Sequence, residues 1–168
     1  MKACKRTLKK DRMNPLEKLV KTFGAFPWLL SYVLGRTVKF VGTTGIRYEK
    51  FNRDEIVLSI KNRNRVQNHI GQVHAMVMAL LAETATGMMV GINIPKGKTP
   101  LLKSIDCAYV RRSSGKITVR TDFDDERRAV LEKEDKGEVE FKLDAVDQTG
   151  EVVAEYRAVW AWRKLKKS

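Results

Sequence analysis

The order of apolar and polar positions divides the chain into helical and strand-like segments. Residues 73–90 are apolar almost throughout, which predicts one long helix without a polar face. Apolar and polar residues alternate on both sides of this run, as in strands. The alternating segments are 38–61, divided by a turn at 51–54, and then 92–94, 101–111, 116–123, 137–146 and 152–163. A charged connection of helical character, 124–135, interrupts the second group.

A helix-start pattern lies near the N-terminus. In 14–17, an asparagine suited to a helix cap is followed by proline at the first helical position and by glutamate three residues after the cap. We expect this helix to end near Ala25 and a second, short helix to run from Pro27 to about Gly35. The predicted division is a basic tail over 1–12, a helical segment over 13–36 and one main domain over 37–168.

The apolar run 73–90 decides the fold class. A helix that is apolar on every side needs burial all round, and a curved antiparallel sheet wrapped around it meets this need. The predicted class is therefore α+β, with the N-terminal helices as an extension. A membrane span is the alternative, because such a span needs about 18 apolar residues. Glu83 in the middle of the run and the strand patterns around it argue against a span.

The net charge of +13 is concentrated at the chain ends. Residues 1–12 carry +5 and residues 163–168 carry +4, which leaves +4 for the other 150 residues. Charged tails are usually solvated, so we do not expect specific nucleic-acid binding. The aromatic residues within 23–34 favour a helical lid packed on the main domain. The alternative is a weak contact of residues 1–35 with an anionic membrane surface.

The cysteines and histidines predict neither disulfides nor a metal site. Cys4 and Cys107 are too few for a disulfide framework, and neither has zinc-ligand spacing with His69 or His74. The basic start lacks the cleavage site of a signal peptide. The interpretation is a cytoplasmic protein without a metal ion or cofactor.

Glu83 is the first candidate for chemistry. Its helical neighbours one turn away offer no cation: Ala79, Leu80, Thr86 and Gly87. Desolvation in an apolar wall would raise the pKa of this carboxyl and make it a better proton acceptor. Gly87 is expected to leave space beside it for a ligand. The alternative role is structural, with Glu83 paired to an arginine across an interface or bonded to backbone.

The start of the helix is the second candidate. The free N–H groups around Ala75, at the positive end of the helix dipole, suit a developing oxyanion. Ala75 and Glu83 are eight residues apart, which is about 12 Å along a helix. They cannot flank the same carbonyl within one chain. If both act, one subunit's helix start meets another subunit's Glu83, and two-fold symmetry supplies two sites per dimer.

The spacing of polar residues at this helix resembles a known signature. The run Asn68-x-x-Gly71-x-x-His74, with Glu83 nine residues after the histidine, resembles that of hotdog-fold acyl-CoA thioesterases of the phenylacetate-pathway type. Residues 106–116 look like the strand and turn that follow it. The resemblance covers about 55–165, and the N-terminal helices are extra, as in a poorly characterised branch of that family. It implies a hotdog fold, a homodimer or dimer of dimers (homotetramer), and CoA only as part of the substrate.

The resemblance also implies roles for single residues. Glu83 takes the position of the nucleophile or general base, and Ala75 that of the backbone N–H in the oxyanion hole. Asn68 takes the polar position that orients water or substrate, and Gly71 stands at the motif glycine beside the substrate. His74 matches the motif histidine, although fixing the helix start is an equal alternative.

The chain departs from the family where two glycines usually follow the histidine. Here Ala75 and Met76 stand in their place, and Met76 is expected to narrow or reshape the substrate pocket. Cations at the rim would hold the phosphates of CoA, and the candidates are Arg111, Arg112 and Lys116. An ordinary basic hairpin is the equal alternative for these three.

The functional hypothesis is hydrolysis of an acyl-CoA or related thioester. The main alternative is a hotdog protein that binds acyl-CoA or lipid without turnover. A weaker third hypothesis is a membrane-surface protein that uses residues 1–35.

Overall fold

Three short helices precede the sheet. In the computed structural model, which describes residues 15–23 and 26–165, they are α1 (Pro15–Phe23), α2 (Pro27–Thr37) and α3 (Lys39–Thr44). The predicted helices that begin at Pro15 and Pro27 are confirmed. The expected end of the first, near Ala25, lies outside the described residues, and α2 continues past the expected end near Gly35 to Thr37. The predicted cap at Asn14 and the basic tail 1–12 lie outside the described residues.

Helix α3 corrects the prediction of a strand that begins at residue 38. Helices α2 and α3 cross so closely that a side chain on Gly42 would clash with the carbonyl of Gly35. Gly45 then ends α3 in the left-handed conformation, with φ +75°. Only glycine permits the close crossing, and this tertiary packing overrides the local alternation.

The six strands of the described chain form one antiparallel sheet. Its strands are β1 (Arg47–Phe51), β2 (Glu55–Ile60), β3 (Lys98–Tyr109), β4 (Ile117–Asp122), β5 (Lys136–Val146) and β6 (Val152–Lys164). The spatial order is β1-β2-β4-β5-β6-β3. A 3₁₀ turn (Asn64–Val66) and helix α4 (Ala75–Asn93) connect β2 to β3, and α5 (Asp125–Lys133) connects β4 to β5.

Helix α4 lies in the concave side of the sheet and contacts β2 to β6. By length and composition it could cross a membrane, but half of its most apolar stretch is buried inside the protein. Its fully buried apolar side chains include Leu81, Ala82, Ala85, Met89 and Val90. The predicted hotdog fold, a curved antiparallel sheet around one central helix, is confirmed.

The bounds of α4 differ from the prediction at both ends. The helix begins at Ala75 and not at residue 73, and it continues to Asn93, so the predicted strand 92–94 is wrong. The Asn93 side-chain amide donates to the carbonyls of Met89, at 3.0 Å, and Arg53, at 2.9 Å. These bonds extend the last turn beyond the point where the apolar pattern ends. The predicted turn 51–54 and the helical character of 124–135 are confirmed.

The two edge strands of the sheet, β1 and β3, differ in what packs against them. At the β1 edge, α2 packs on the strand, and the Tyr48 N–H donates to Ser31 Oγ at 2.9 Å. At the opposite edge, β3 pairs with β6 alone among the described residues. Exposed apolar side chains, Leu101 and Tyr109, stand on this strand. The β3 edge is therefore open to another strand.

Candidate functional site

A tight loop brings the chain from the 3₁₀ turn to the start of α4. An isolated bridge between Gln67 and Val73 closes it. The Asn68 side-chain oxygen accepts from the N–H groups of Ile70, at 3.1 Å, and Gln72, at 3.0 Å. Gly71 turns the loop with φ +75°. Asn68 and Gly71 thus shape the loop that leads into the helix.

His74 is the cap of α4. Its Nδ1 accepts a hydrogen bond from the Met76 N–H at 3.1 Å, and its own N–H donates to the Val66 carbonyl at 2.8 Å. This is the alternative role considered for the histidine, fixing the helix start. The Ala75 N–H, the next donor along the chain, has no acceptor among the described residues.

A cleft of about 290 Å³ lies beside this helix start. It brings together four of the predicted site residues: Asn68, Ala75, Arg111 and Arg112. Tyr109 and Gln72 line it as well, and sequence reasoning missed both. The Tyr109 hydroxyl donates to the Ala75 carbonyl at 2.8 Å, which ties β3 to the first residue of α4. The only sequence signal for Tyr109 was its place in the segment 106–116.

Of the three predicted CoA-binding cations, two line the cleft and one does not. Arg112 lines the cleft, is exposed and has no ion pair among the described residues. Arg111 also lines it but pairs with Glu151. Lys116 is exposed beyond the residues that line the cleft. No group of three metal-ligating side chains occurs in the described part of the chain.

Glu83 lies two turns further along α4 and outside the cleft. Its side chain is half-buried, and burial raises the pKa of its carboxyl. Thr84 Oγ1 donates to it at 3.4 Å, and no described cation lies within ion-pair distance. The neighbouring Tyr48 hydroxyl is buried and has no hydrogen-bond partner in the described part of the chain. Burial and then the Glu83 charge raise the Tyr48 pKa far above its usual value. The carboxyl therefore sits in weakly polar surroundings that favour its protonated form.

The space predicted beside Gly87 is not free. A side chain on Gly87 would come within 2.8 Å of the Trp160 ring. The Trp160 N–H donates to Thr86 Oγ1 at 2.9 Å, which fixes the indole against α4. The prediction that Gly87 leaves room for a ligand is therefore wrong, because a buried tryptophan from β6 occupies that room.

One stripe of α4 is incompletely covered within a single chain. Residues at spacings of three and four share this face: Met76, Ala79, Leu80 and Glu83. Met76 is 60% exposed, and the other three are half-buried. The expectation that one chain buries α4 on all sides is wrong along this stripe. The stripe places the Glu83 carboxyl beside apolar surface that is open to a second molecule.

Several solved structures are similar to this one in fold and, at a lower level, in sequence. A Pseudomonas aeruginosa protein of unknown function, named a probable thioesterase, is 28% identical over 83% of this chain and 97% of its own, with a TM-score of 0.75. A Haemophilus influenzae thioesterase is 20% identical over 80% and 90% of the two chains, with a TM-score of 0.64. A second Pseudomonas aeruginosa thioesterase, solved as a mutant, is 16% identical over 92% and 97%, with a TM-score of 0.62. A comparison with curated proteins gave no match.

The fold is a hotdog fold, and the proteins of known structure that share it with this chain include several named thioesterases. The chain belongs to the DUF4442 family, a domain of unknown function, whose model matches residues 27–162.

Proposed function

We propose that this protein hydrolyses an acyl-CoA, or a related acyl thioester, at a site shared by two subunits. One observation carries the proposal. Two groups lie eight residues apart on the same helix: the half-buried Glu83 carboxyl, which has no cation partner among the described residues, and the Ala75 N–H, which has no acceptor among them. Such groups supply the base and the oxyanion donor that acyl transfer needs.

In the proposed reaction, Glu83 and the Ala75 N–H act in the same series of steps. The ionised Glu83 takes a proton from water while the water oxygen bonds to the thioester carbonyl carbon. The negative charge that develops on the carbonyl oxygen is held by the Ala75 N–H. When the carbonyl reforms, the C–S bond breaks, and the CoA thiolate takes the proton from the Glu83 carboxyl. Direct attack by the Glu83 carboxylate would use the same placement and pass through an anhydride.

A second copy of the chain completes the site. About 12 Å of helix separate Ala75 from Glu83, so one thioester meets both groups only if they come from two molecules. The open β3 edge permits antiparallel pairing of two copies about a two-fold axis. The same pairing would cover the Met76–Glu83 stripe. The proposed unit is a dimer, or a dimer of dimers, in the cytoplasm.

The rim of the cleft suits the anionic end of CoA. Arg112 has no ion pair among the described residues and is therefore available to a phosphate. Arg111 would exchange its Glu151 partner for the ligand, and Lys116 would act at longer range. Asn68, fixed in the loop beside Ala75, would orient water or the acyl group.

The test is thiol release from short, medium, long and aromatic acyl-CoAs by wild type and Glu83→Gln. Glutamine keeps the size of the side chain and removes the base, so we expect the turnover rate to fall at least 100-fold. Glu155→Gln, at an exposed strand position, is the matched control. The cysteine thiols are subtracted in a protein-only blank. Equal turnover by wild type and Glu83→Gln would refute the proposed role.

A second candidate function is acyl-CoA binding without turnover. The exposed Met76, on the same stripe of α4 as Glu83, favours it because a bulky side chain there would obstruct the approach of the thioester. This function predicts that acyl-CoA raises the melting temperature while no thiol is released by any member of the panel.

A further inference from the structure

The outer face of the helical layer carries exposed aromatic rings. Leu30 and Leu34 form the buried face of α2. Trp28 and Tyr32 lie on the opposite face and are 71% and 57% exposed. Phe40 on α3 is 62% exposed. Exposed apolar surface rimmed by polar residues is typical of an interaction site. The expectation that these residues form a lid packed on the main domain is therefore incomplete.

Cations surround these rings. Arg36, Lys39, Arg47 and Arg63 line the same open cleft of about 590 Å³ as Trp28 and Tyr32. The Arg36 guanidinium lies 5.2 Å from the centre of the Tyr32 ring. None of these four cations has an ion pair among the described residues, and no acidic residue occurs between positions 18 and 48. The face therefore combines aromatic rings with positive charge that nothing in the described chain neutralises.

The charge of this face argues against a second copy as its occupant. A two-fold interface would place the same cations opposite each other, and like charges in contact oppose association. An anionic occupant would neutralise them.

The breadth of the surface favours a bilayer over a small anion. Tryptophan and tyrosine are enriched where proteins meet lipid headgroups, because the ring is apolar and its N–H or O–H is polar. Exposed Phe26 and Phe40 extend the surface beyond the residues that line the cleft. Adjacent in sequence, residues 1–12 add six further cations against one acid. Basic segments of this kind are attracted to anionic lipid.

We propose that the α2–α3 face, formed by Trp28, Tyr32, Arg36, Lys39 and Phe40, docks on an anionic lipid bilayer. The inference is independent of the proposed hydrolysis, since it uses neither Glu83 nor the cleft at the start of α4.

The test is co-flotation of the full chain with phosphatidylcholine vesicles that contain or lack phosphatidylserine. We expect binding only with phosphatidylserine, and weaker binding in high salt. The fluorescence of Trp28 should shift to the blue on binding, whereas Trp160 and Trp162 are buried already. Arg36→Glu with Lys39→Glu should weaken vesicle binding at least tenfold, and Trp28→Ser with Tyr32→Ser should weaken it and abolish the fluorescence shift.

The matched control reverses two exposed lysines on β5, Lys136→Glu with Lys142→Glu, and so gives the same net charge. If this control loses binding as strongly as Arg36→Glu with Lys39→Glu, overall charge and not the α2–α3 face is responsible, and the proposal is overturned. Absence of vesicle binding overturns it too. If free CoA raises the melting temperature through Arg36 and Lys39 while vesicles do not bind, the face is a small-anion site instead.

Discussion

The two ends of helix α4 are built in opposite ways. At the C-terminal end, Asn93 is buried and bonded to Arg128, whose guanidinium also bonds to the Asp54 carboxylate and to the carbonyls of Arg53 and Phe123. At the N-terminal end, a single histidine caps the helix. Ala75, the next residue, lines a cleft, and its N–H has no acceptor among the described residues.

The two ends of α4 differ in whether their polar groups are already bonded within the protein or are available to a ligand. Charged hydrogen bonds that replace water at a half-buried helix end hold that end in one place. An N–H left free at a helix start costs little while water reaches it, and it is then available to a ligand oxygen. The C-terminal end of α4 therefore serves the fold, and the N-terminal end is free to serve a reaction.

Breaking the C-terminal network should give the largest effect on stability. The Arg128 side chain is 16% exposed and holds several acceptors at once. Arg128→Met removes their shared donor. Because its carboxylate partners are exposed, the loss falls on the buried Asn93 and on the backbone carbonyls, and we expect the free energy of unfolding to fall by about 1–3 kcal/mol. Urea denaturation of the two proteins measures this change.

Arg120→Met is the control for that substitution. Arg120 pairs with Glu55 at the surface, where its side chain is 71% exposed, so the same change should cost only about 0–1 kcal/mol. If the two substitutions destabilise the protein equally, the C-terminal end of α4 is no more strongly held than the surface.

The sequence predicted the architecture because the apolar pattern is strong. Residues 73–90 require burial, and alternating segments supply the sheet that buries them, so a curved antiparallel sheet around one helix followed; the hotdog fold itself came from the resemblance of the helix motif. It could not predict α3, because the close crossing at Gly35 and Gly42 is a tertiary contact. Nor could it show that Trp160, distant in sequence, fills the space beside Gly87.

The candidate site was predictable only in its local parts. The spacing of Asn68, His74 and Glu83 belongs to one loop and one helix, and the sequence shows it directly. Tyr109 reaches Ala75 from β3, an edge strand that follows α4, and only the fold brings the two together. Which group would meet Glu83 in the proposed dimer depends on an interface that the structure of one chain does not contain.

The role of the N-terminal end of α4 can be tested by removing one hydrogen-bond donor, the Ala75 N–H. Ala75 is the first residue of α4, a position that accepts proline, and His74 before it has the extended conformation that proline requires, φ −62° and ψ 139°. Ala75→Pro therefore removes the N–H without opposing the helix. If this N–H holds the oxyanion, kcat for thioester hydrolysis should fall about 100- to 1000-fold with little change in KM.

The same substitution at another helix start is its control. Asp125 begins α5 and follows an extended residue, so Asp125→Pro makes the same backbone change far from the cleft. It also removes the exposed ion pair of Asp125 with Arg128, so its stability is measured beside its turnover. It should retain turnover. A normal kcat in Ala75→Pro, with an unchanged circular dichroism spectrum, would show that the free N–H at the start of α4 has no part in the reaction.

The smallest effect concerns Glu83, which lies between the two ends. Burial raises its pKa in the folded protein, so the folded state binds more protons than the unfolded state between the ordinary glutamate pKa and the raised one. Stability should therefore fall as pH rises through this window. Glu83→Gln removes the titration, so its melting temperature should exceed that of wild type at neutral pH, and the excess should shrink towards zero below the ordinary glutamate pKa. Glu155→Gln, at an exposed position, should show no such trend. If Glu83→Gln is instead less stable at neutral pH, the carboxylate is held by a stabilising partner, and its role is structural.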